Sequence, residues 1–441
     1  MNKSKKQRFI SLFSLNILFL IMGIYFIEIV LTIKPYLFSD KANRSKNKEL
    51  ILKKEMLNTK YAKDHPYSIK NFSNGDLLLD YFRDKDKNAY NKFSPGAQGV
   101  IDNNGFKYGE NERLYPFSTV SKARIVFCGE SGFWVNYVSD RFGFRNEDSI
   151  WNKKDIDAVF IGDSFTHGAC VDDTDTFSGI ANSSGINSIN LGMGGTGSLI
   201  QLAALKEYIV NNRIKPKFII WVYYSSDFGD NFNEYKSSIL RSYLEDSTYK
   251  QDLVKKNKLK DILIAREHDN YLKTSKVKNI KNDKQLTKIK LFSKELIKNI
   301  KTTIRLIQVR YAIMNLLNIE TPEINSEEKI DIFQKTLTRL KEEAKSLNSK
   351  IIFVYLPSWY EFHHIDGNGS NSRHPNYRKR REILDMVKKN NIPIINTRNL
   401  LLKNGKEGAK AFYNFNLYGH FNPVGYKKVG EYILENLEIY K

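Results

Sequence analysis

Residues 160–168 read FIGDSFTHG, and this short stretch indicates both the fold class and a candidate site. An apolar run ends at Gly162, and the polar pair Asp163 and Ser164 follows at once. In doubly wound sheets, ligands bind outside the carboxyl ends of the strands, so a serine at this point is expected at an open sheet edge. Its N–H, free at the start of the next helical turn, can face a developing oxyanion. Ser164 is therefore a candidate nucleophile; the alternative is an Asp/Ser cap of the following helix.

Short apolar runs alternate with helical patterns on both sides of this stretch. Amphipathic or apolar periodicity predicts helices over 199–210 and 325–346. Near-continuous apolar strands between helices are typical of a parallel sheet that is covered on both faces. The expected fold class is therefore α/β, a three-layer α/β/α sandwich. The predicted strands are 123–128, 157–161, 186–191, 217–224, 350–356 and 392–396.

A glycine-rich stretch, NLGMGGTG at 190–197, directly follows the third predicted strand. Glycines let backbone N–H groups approach a substrate closely. Their spacing also matches a dinucleotide-binding loop, and that alternative stands beside a simple tight turn. The dinucleotide fingerprint expects an acid about 20 residues further on, at the end of the next strand. Residues 212–214 occupy that distance, before the fourth strand begins, and they include no acid. We therefore expect no cofactor.

The third stretch is GHFNPVGY at 419–426, ahead of a C-terminal amphipathic helix. A serine hydroxyl is a poor nucleophile until a neighbouring base accepts its proton, and histidine suits that task near neutral pH. His420 is the candidate base. A lone histidine before a helix is also a common capping or core residue.

Together the three stretches resemble those of the SGNH (GDSL-like) hydrolase family. The resemblance covers roughly 123–229 and 325–441 and implies a flavodoxin-like sandwich with acyl-ester chemistry. It implies Ser164 as nucleophile, His420 as base, and Ser164 N–H with Gly195 N–H as oxyanion donors. The segments FGFR at 142–145 and Thr176-Phe177 are similar to elements of membrane-linked members.

Two positions depart from the family pattern. The third block, where the family has Gly-Asn-Asp, reads SSD at 225–227, so Ser226 takes the place of the asparagine oxyanion donor. The acid expected three residues before the histidine is replaced by Leu417. His420 must then be oriented by a backbone carbonyl, by a residue elsewhere, or not at all. A Ser–His pair without the acid still catalyses, because the acid mainly fixes the tautomer and stabilises imidazolium.

Several other polar residues invite a role. We interpret Asp163 and Asp227 as loop supports and His167 as a loop residue. The histidines and acid within 363–374 fit no standard zinc spacing, and no metal is expected. Cys128 and Cys170 could pair outside the cytoplasm, but two cysteines make no disulfide framework, and we treat both as small buried side chains.

The N-terminus predicts a membrane anchor. Four basic residues precede a run over 9–33 that carries no charge before Glu28, long enough to span a bilayer and lacking a cleavage site of small residues. The domain organisation expected is as follows: a cytoplasmic N-terminus over 1–8, a transmembrane anchor over 9–33, a stalk and accessory region over 34–120, core parts over 121–229 and 325–441, and a helical insertion over 230–324.

The 441-residue chain has a formal net charge of +21, with 41% hydrophobic residues, enough for a sizeable core. The Lys and Arg residues are mostly dispersed, so the charge is read as compositional rather than as a nucleic-acid surface. No nucleic-acid partner is expected. The function predicted is an extracytoplasmic, single-pass membrane esterase or O-acyltransferase acting on acyl esters, with envelope polysaccharide as the candidate partner. The alternative is a catalytically weakened protein of the same fold that binds glycan or a partner in envelope assembly.

Overall fold

The computed structural model describes residues 20–29, 65–69, 71–86, 88–93, 104–225, 227–281, 326–363, 375–414 and 419–440. The chain divides into two compact units. One comprises Glu55–Tyr271 and Asn325–Lys441 and contains nearly all of the described residues. The other comprises Met1–Lys54 and Leu272–Ile324, of which only 20–29 and 272–281 are described.

From residue 75 onward, the described part of the chain contains ten strands and thirteen α-helices. The strands are β1 (Ala89–Asn91), β2 (Phe106–Lys107), β3 (Arg113–Leu114), β4 (Arg124–Cys128), β5 (Val135–Val138), β6 (Ala158–Gly162), β7 (Ser188–Asn190), β8 (Phe218–Tyr224), β9 (Lys350–Leu356) and β10 (Ile394–Asn396). The α-helices are α1 (Gly75–Asp86), α2 (Ser164–His167), α3 (Phe177–Ser183), α4 (Ser198–Leu205), α5 (Asp227–Glu234), α6 (Ser238–Glu245), α7 (Asn257–Lys281), α8 (Ser326–Ser346), α9 (Trp359–His363), α10 (Pro375–Lys389), α11 (Arg398–Leu402), α12 (Gly405–Lys410) and α13 (Pro423–Glu438). A π-helical turn, Lys206–Val210, continues α4.

The main sheet has five parallel strands in the order β10-β9-β8-β6-β7. Numbered along the chain, the order is 2-1-3-4-5. Every residue of the central strand β8, FIIWVYY, is buried, which explains why the sequence shows a continuous apolar run instead of an alternating one. Because β6 has β7 on one side and β8 on the other, the strand order reverses at β6, and a crevice opens there at the carboxyl ends.

Alternate side chains of the sheet pack into two separate cores. Trp221 and Tyr223 of β8 lie in one core with residues of α4 and α8. Ile220 and Val222 lie in the other with residues of α3 and α13. Helices therefore cover both faces, and the predicted three-layer α/β/α sandwich is confirmed.

One predicted strand belongs to a different sheet. The run 123–128 forms β4, which pairs in parallel with β1 and antiparallel with β5. The expectation that it joins the main parallel sheet is wrong, because an apolar run of this length does not encode its partner. The accessory region before residue 120 supplies one neighbour, β1, and α1 packs on both β1 and β4; the other neighbour is β5. This region was expected to be irregular, but it contains one helix and three short strands within its described residues.

The long segment between β8 and β9 is helical where it is described. It includes α5, α6 and α7, and residues 282–325 lie outside the described chain. The fully buried Lys260 of α7 donates to Thr119 O at 2.8 Å and to Phe142 O at 2.7 Å. This buried cation fixes the start of α7 to the core.

Residues 20–29, within the predicted anchor, are helical. Among the helices of the described residues, none is both long enough and apolar enough to cross a bilayer. Most of the predicted anchor over 9–33 lies outside the described residues, so the anchor stays a prediction.

Candidate active site

Ser164 lies at the crevice where the strand order of the main sheet reverses. It follows the end of β6 and is the first residue of α2, so its N–H has no acceptor within that helix. Asp163 caps the helix: its Oδ1 accepts from Phe165 N at 2.9 Å. Asp163 thus performs the loop-supporting contact expected of it, and the Ser164 hydroxyl is left half-buried at the crevice.

His420 meets Ser164 across this crevice. Its Nε2 lies 2.8 Å from Ser164 Oγ, although the two residues are 256 positions apart in the chain. The histidine precedes α13, whose first turn is capped by Asn422 Oδ1 accepting from Gly425 N at 2.8 Å. The cap fixes the direction in which the chain enters α13, and the imidazole lies against the ring of Phe165, with ring centroids 5.0 Å apart.

The residue that orients His420 is Glu130, which sequence reasoning did not identify. Glu130 Oε2 lies 3.0 Å from His420 Nδ1 and also accepts from the backbone N–H of His420 at 3.0 Å. Leu417, at the position where an acid was sought, lies outside the described residues. Of the three possibilities for orienting His420, a residue elsewhere is the one observed.

The contact with His420 sets the pKa of Glu130. Burial acts to raise the pKa of Glu130, but hydrogen bonding and the positive charge of His420 outweigh it, and the pKa lies below its usual value. The carboxylate therefore holds the proton of His420 on Nδ1 and leaves the Nε2 lone pair for the Ser164 hydroxyl. Ser164, His420 and Glu130 form one hydrogen-bonded chain.

The segment that carries Glu130 is fastened to the segment that follows α2. Cys128 and Cys170 form a disulfide, with Cα atoms 5.0 Å apart. Both cysteines are buried, as expected, and the pairing that the sequence left open is present. They are 42 residues apart in sequence, and only the tertiary fold brings them together. Next to the bridge, Ser131 Oγ lies 2.5 Å from Cys170 O and 3.1 Å from Asn414 Oδ1.

Asn414 extends this network to the histidine. Its backbone N–H donates to His420 O at 3.1 Å, and its side-chain Nδ2 lies 3.3 Å from His420 O and Phe421 O. The disulfide, Ser131 and Asn414 thus hold Glu130 and His420 in one local structure.

The glycine-rich stretch at 190–197 packs directly against the turn that begins at Ser164. A Cβ at Gly192 would lie 2.5 Å from His167 N, so only glycine allows this approach. Asn190 ties the two together: its Nδ2 donates to Thr166 O at 2.9 Å and its Oδ1 accepts from Gly192 N at 2.8 Å. Gly195 is exposed and has a φ of +75°, a conformation that favours glycine.

The same stretch is unsuited to a dinucleotide. The N–H groups of Gly197, Leu199 and Ile200, at the start of α4, all donate to the carboxylate of Glu234, at 2.5, 3.0 and 3.2 Å. These are the amides that would hold a pyrophosphate in the dinucleotide interpretation. A carboxylate of the protein itself occupies them.

Asp227 also contacts α4, through Gln201. Its Oδ2 accepts from Gln201 Nε2 at 3.2 Å, and Gln201 Oε1 accepts from Trp221 Nε1 at 2.7 Å. Burial, followed by repulsion from Asp163 and Asp230, raises the pKa of Asp227 well above its usual value. Its neighbour Ser226, the predicted third oxyanion donor, lies outside the described residues.

Arg145, in the FGFR segment, holds the loop after α2. This buried side chain donates to Gly168 O at 2.7 Å and Val171 O at 2.8 Å, and it pairs with Asp173 at 2.6 Å. The segment therefore supports the loop that contains Cys170.

We expected His167 to be a loop residue. It is instead the buried last residue of α2. The expectation is wrong because the helix was too short to be recognised from periodicity. The metal-like group over 363–374 has no described side chains. Elsewhere in the described chain, the potential ligand atoms of Cys128, Cys170, Glu130 and His420 lie within 4.8 Å of one another, but the two sulfurs are bonded to each other.

The chain matches no protein-family model and no curated protein. Solved structures that it matches include the crystal structure of an acetyl xylan esterase, AlAXEase. The match has 10% sequence identity and a TM-score of 0.31, and it covers 64% of this chain and 100% of that chain. At this identity and score, neither fold nor activity can be carried from that enzyme to this chain.

Proposed function

We propose that this chain is a membrane-anchored, extracytoplasmic serine enzyme of the SGNH type that cleaves or transfers acyl esters. The hydrogen-bonded chain from Ser164 through His420 to Glu130 carries the proposal, because a serine, a base and an orienting acid in this order are the parts of an activated nucleophile. The strand order 2-1-3-4-5 supports a flavodoxin-like sandwich, and the serine lies at its switch point.

In the first half of the reaction, Ser164 Oγ attacks the ester carbonyl carbon while its proton passes to His420 Nε2. The Glu130 carboxylate stabilises the imidazolium that forms. When the tetrahedral intermediate collapses, the ester C–O bond breaks and the leaving alcohol takes the proton from Nε2. The acyl group remains on Ser164.

In the second half, His420 removes a proton from the acceptor hydroxyl, which attacks the acyl-enzyme and releases Ser164 with its proton restored. Water as acceptor makes the chain an esterase, and a sugar hydroxyl makes it an O-acyltransferase. Envelope carbohydrate is the acceptor or substrate that the family resemblance and the predicted anchor favour.

The negative charge on the carbonyl oxygen needs donors near Ser164. The proposed donors are Ser164 N–H, Gly195 N–H and the Ser226 hydroxyl. The free helix-start position of Ser164 and the exposed, left-handed Gly195 support the first two. Losing one such donor costs about 10²–10³-fold in kcat in a protease where this was measured.

The experiment compares the purified full chain with its Ser164→Ala variant on an acetyl ester, with and without an oligosaccharide acceptor. Ser149→Ala, which changes an exposed serine away from the crevice, is the matched control. We expect Ser164→Ala to lose at least about a thousandfold in turnover, because removing a triad member leaves only the oxyanion contribution. Faster acyl loss with the oligosaccharide, with acylated sugar as product, identifies a transferase.

A fluorophosphonate probe separates catalysis from binding alone. Labelling that depends on Ser164 supports the enzyme. A folded wild type that neither labels nor turns over any ester would refute the proposal and favour a glycan- or partner-binding protein of the same fold.

A further inference from the structure

His167 lies between the nucleophile turn and the glycine-rich stretch, and the proposed reaction assigns it no role. It is three residues after Ser164 and is fully buried. Its ring stacks on Phe127, with ring centroids 4.0 Å apart. Both ring nitrogens nevertheless have polar partners, which is more than a core-filling side chain needs.

These partners define the tautomer of His167. Gly194 N–H donates to Nδ1 at 3.3 Å, so Nδ1 must carry a lone pair. The proton is then on Nε2, which lies 2.7 Å from Tyr137 Oη and donates to it. Burial, with the positive charges of Arg145, Lys92 and His420, lowers the pKa of His167 well below its usual value, so the ring remains neutral.

The N–H that His167 holds belongs to the Met193–Gly194 peptide, which directly precedes the peptide that carries Gly195 N–H. Met193 N donates to Gly162 O at 3.2 Å, and Thr196 Oγ1 lies 2.8 Å from Met193 O and 3.3 Å from Gly162 O. Thr196 therefore holds the carbonyl of the Met193–Gly194 peptide, and His167 holds its N–H. Gly194 and Gly195 have no side chains of their own, and the contact that reaches Gly194 N comes from His167.

We propose that His167 is a positioning residue: by accepting from Gly194 N–H, it fixes the Met193–Gly194 peptide, and so restricts the orientation of the next peptide, whose Gly195 N–H is to face the oxyanion formed on Ser164. This inference rests on the proposed function and assigns to it a residue outside the Ser164–His420–Glu130 chain. His167 is the last residue of α2 and Ser164 is the first, so the same turn that presents the nucleophile also sets the oxyanion donor.

Two substitutions separate positioning from packing. His167→Phe keeps a ring against Phe127 but has no acceptor. His167→Asn loses the ring, yet its Oδ1 is as many bonds from the backbone as Nδ1 is and can accept from Gly194 N–H. Tyr243→Phe controls for the loss of a buried hydrogen bond away from the crevice, since its hydroxyl lies 2.5 Å from Glu207 Oε1.

We expect His167→Phe to lower kcat for an acetyl ester by about 10–100-fold with KM changed less than about threefold, because an oxyanion donor acts on the transition state. His167→Asn should recover at least about half of that loss on a logarithmic scale, and Tyr243→Phe should keep the wild-type kcat. If both His167 variants fold and have equal kcat, or if His167→Phe has the wild-type kcat, the inference is wrong.

A second measurement tests the contact in the wild type, where folding is not in question. NMR correlation of the ring nitrogens with the ring carbon protons, on protein labelled at histidine, reports which nitrogen bears the proton. The His167 signals are those missing from the His167→Phe spectrum. A protonated Nε2 with a bare Nδ1 supports the inference, and a protonated Nδ1 overturns it.

The proposed function and the positioning role of His167 can be refuted separately. If wild type and Ser164→Ala turn over ester equally, the proposed function is wrong and this inference falls with it. If wild type is active and only the His167 results disagree, the proposed function stands without the positioning role.

Discussion

At the scale of single residues, Glu130 provides the sharpest prediction. Glu130→Gln keeps the size of the side chain but removes the charge that stabilises the imidazolium of His420. We expect kcat for an acetyl ester to fall by about 10²–10⁴-fold, since the equivalent change in a serine protease costs about 10⁴-fold. Steady-state kinetics of the purified chain measure this.

The control is Glu147→Gln, which removes an exposed carboxylate away from the Ser164–His420 pair. An unchanged kcat in Glu130→Gln would mean that His420 is oriented by another group. Equal losses in both variants would point to a general effect of charge.

Asp163 gives the folded state a pH dependence whose sign follows from its burial. Burial raises its pKa from 3.8 to about 6, although the hydrogen bond from Phe165 N and the charge of His420 act to lower it. The folded chain therefore holds this proton more tightly than the unfolded chain. The resulting stabilisation is fully present below about pH 4 and is lost as pH rises through about 6, by up to about 3 kcal/mol.

Asp163→Asn keeps an oxygen that can accept from Phe165 N but has no proton to lose. Urea unfolding of both chains, from about pH 4 to about pH 7, should therefore show the variant gaining stability relative to wild type as pH rises. A difference that does not change with pH would contradict this.

Candidate site residues could be predicted from the sequence where a recognisable local pattern surrounds them. Ser164 and His420 each stand in a stretch whose neighbours carry information: a strand end before the serine and a capped helix after the histidine. Glu130 stands in CGESG at 128–132, where only its position after an apolar run hints at a role. Its contact with His420 spans 290 positions, and no spacing rule reaches that far.

At the scale of elements, the disulfide between the end of β4 and the loop after α2 has a testable role. Replacing both Cys128 and Cys170 by serine should lower the free energy of unfolding by about 2–4 kcal/mol. It should also lower kcat, because the Glu130 segment loses its fastening to the loop after α2. Urea unfolding and ester turnover, each with and without a dithiol reductant, measure both effects.

Reductant should lower the free energy of unfolding and the ester turnover of wild type to the values of the double variant, and it should leave both values of the variant unchanged. Wild-type turnover that resists complete reduction would show that Ser131 and Asn414 hold Glu130 without the bridge.

The strands β6, β8 and β9 of the main sheet were predictable as elements because they are buried on both faces, so each has a continuous apolar run in the sequence. β4 has the same composition, yet it lies in the second sheet beside β1. The elements that place β4 in the second sheet are α1, which is too polar to be recognised from the sequence, and β1, which is too short. An apolar run therefore predicts a strand more securely than it predicts the neighbour of that strand.

At the scale of the whole molecule, the predicted anchor and the net charge of +21 offer two different ways to reach a membrane. A helix inserted over 9–33 is held by hydrophobic burial, whereas a basic surface is held by charge that salt screens. We expect the full chain to stay in the membrane fraction through a wash at about 1 M salt, where the screening length is about 3 Å. A chain that begins after residue 33 should be released.

Membrane fractionation followed by immunodetection measures this, and protease added to intact cells tests on which side the large unit lies. Release of the full chain by salt alone would refute the anchor and leave a charge-held protein.

Under the proposed function, the distance in sequence between Glu130 and His420 also bears on when activity would begin. A ribosome synthesises the acid first, the serine soon afterwards, and the imidazole 256 residues after the serine. Until His420 has emerged and docked, the hydroxyl has no partner to take its proton. Under the proposed function, a nascent polypeptide would therefore leave the esters of the cell that makes it intact, and the docking of His420 would be the step that starts its activity.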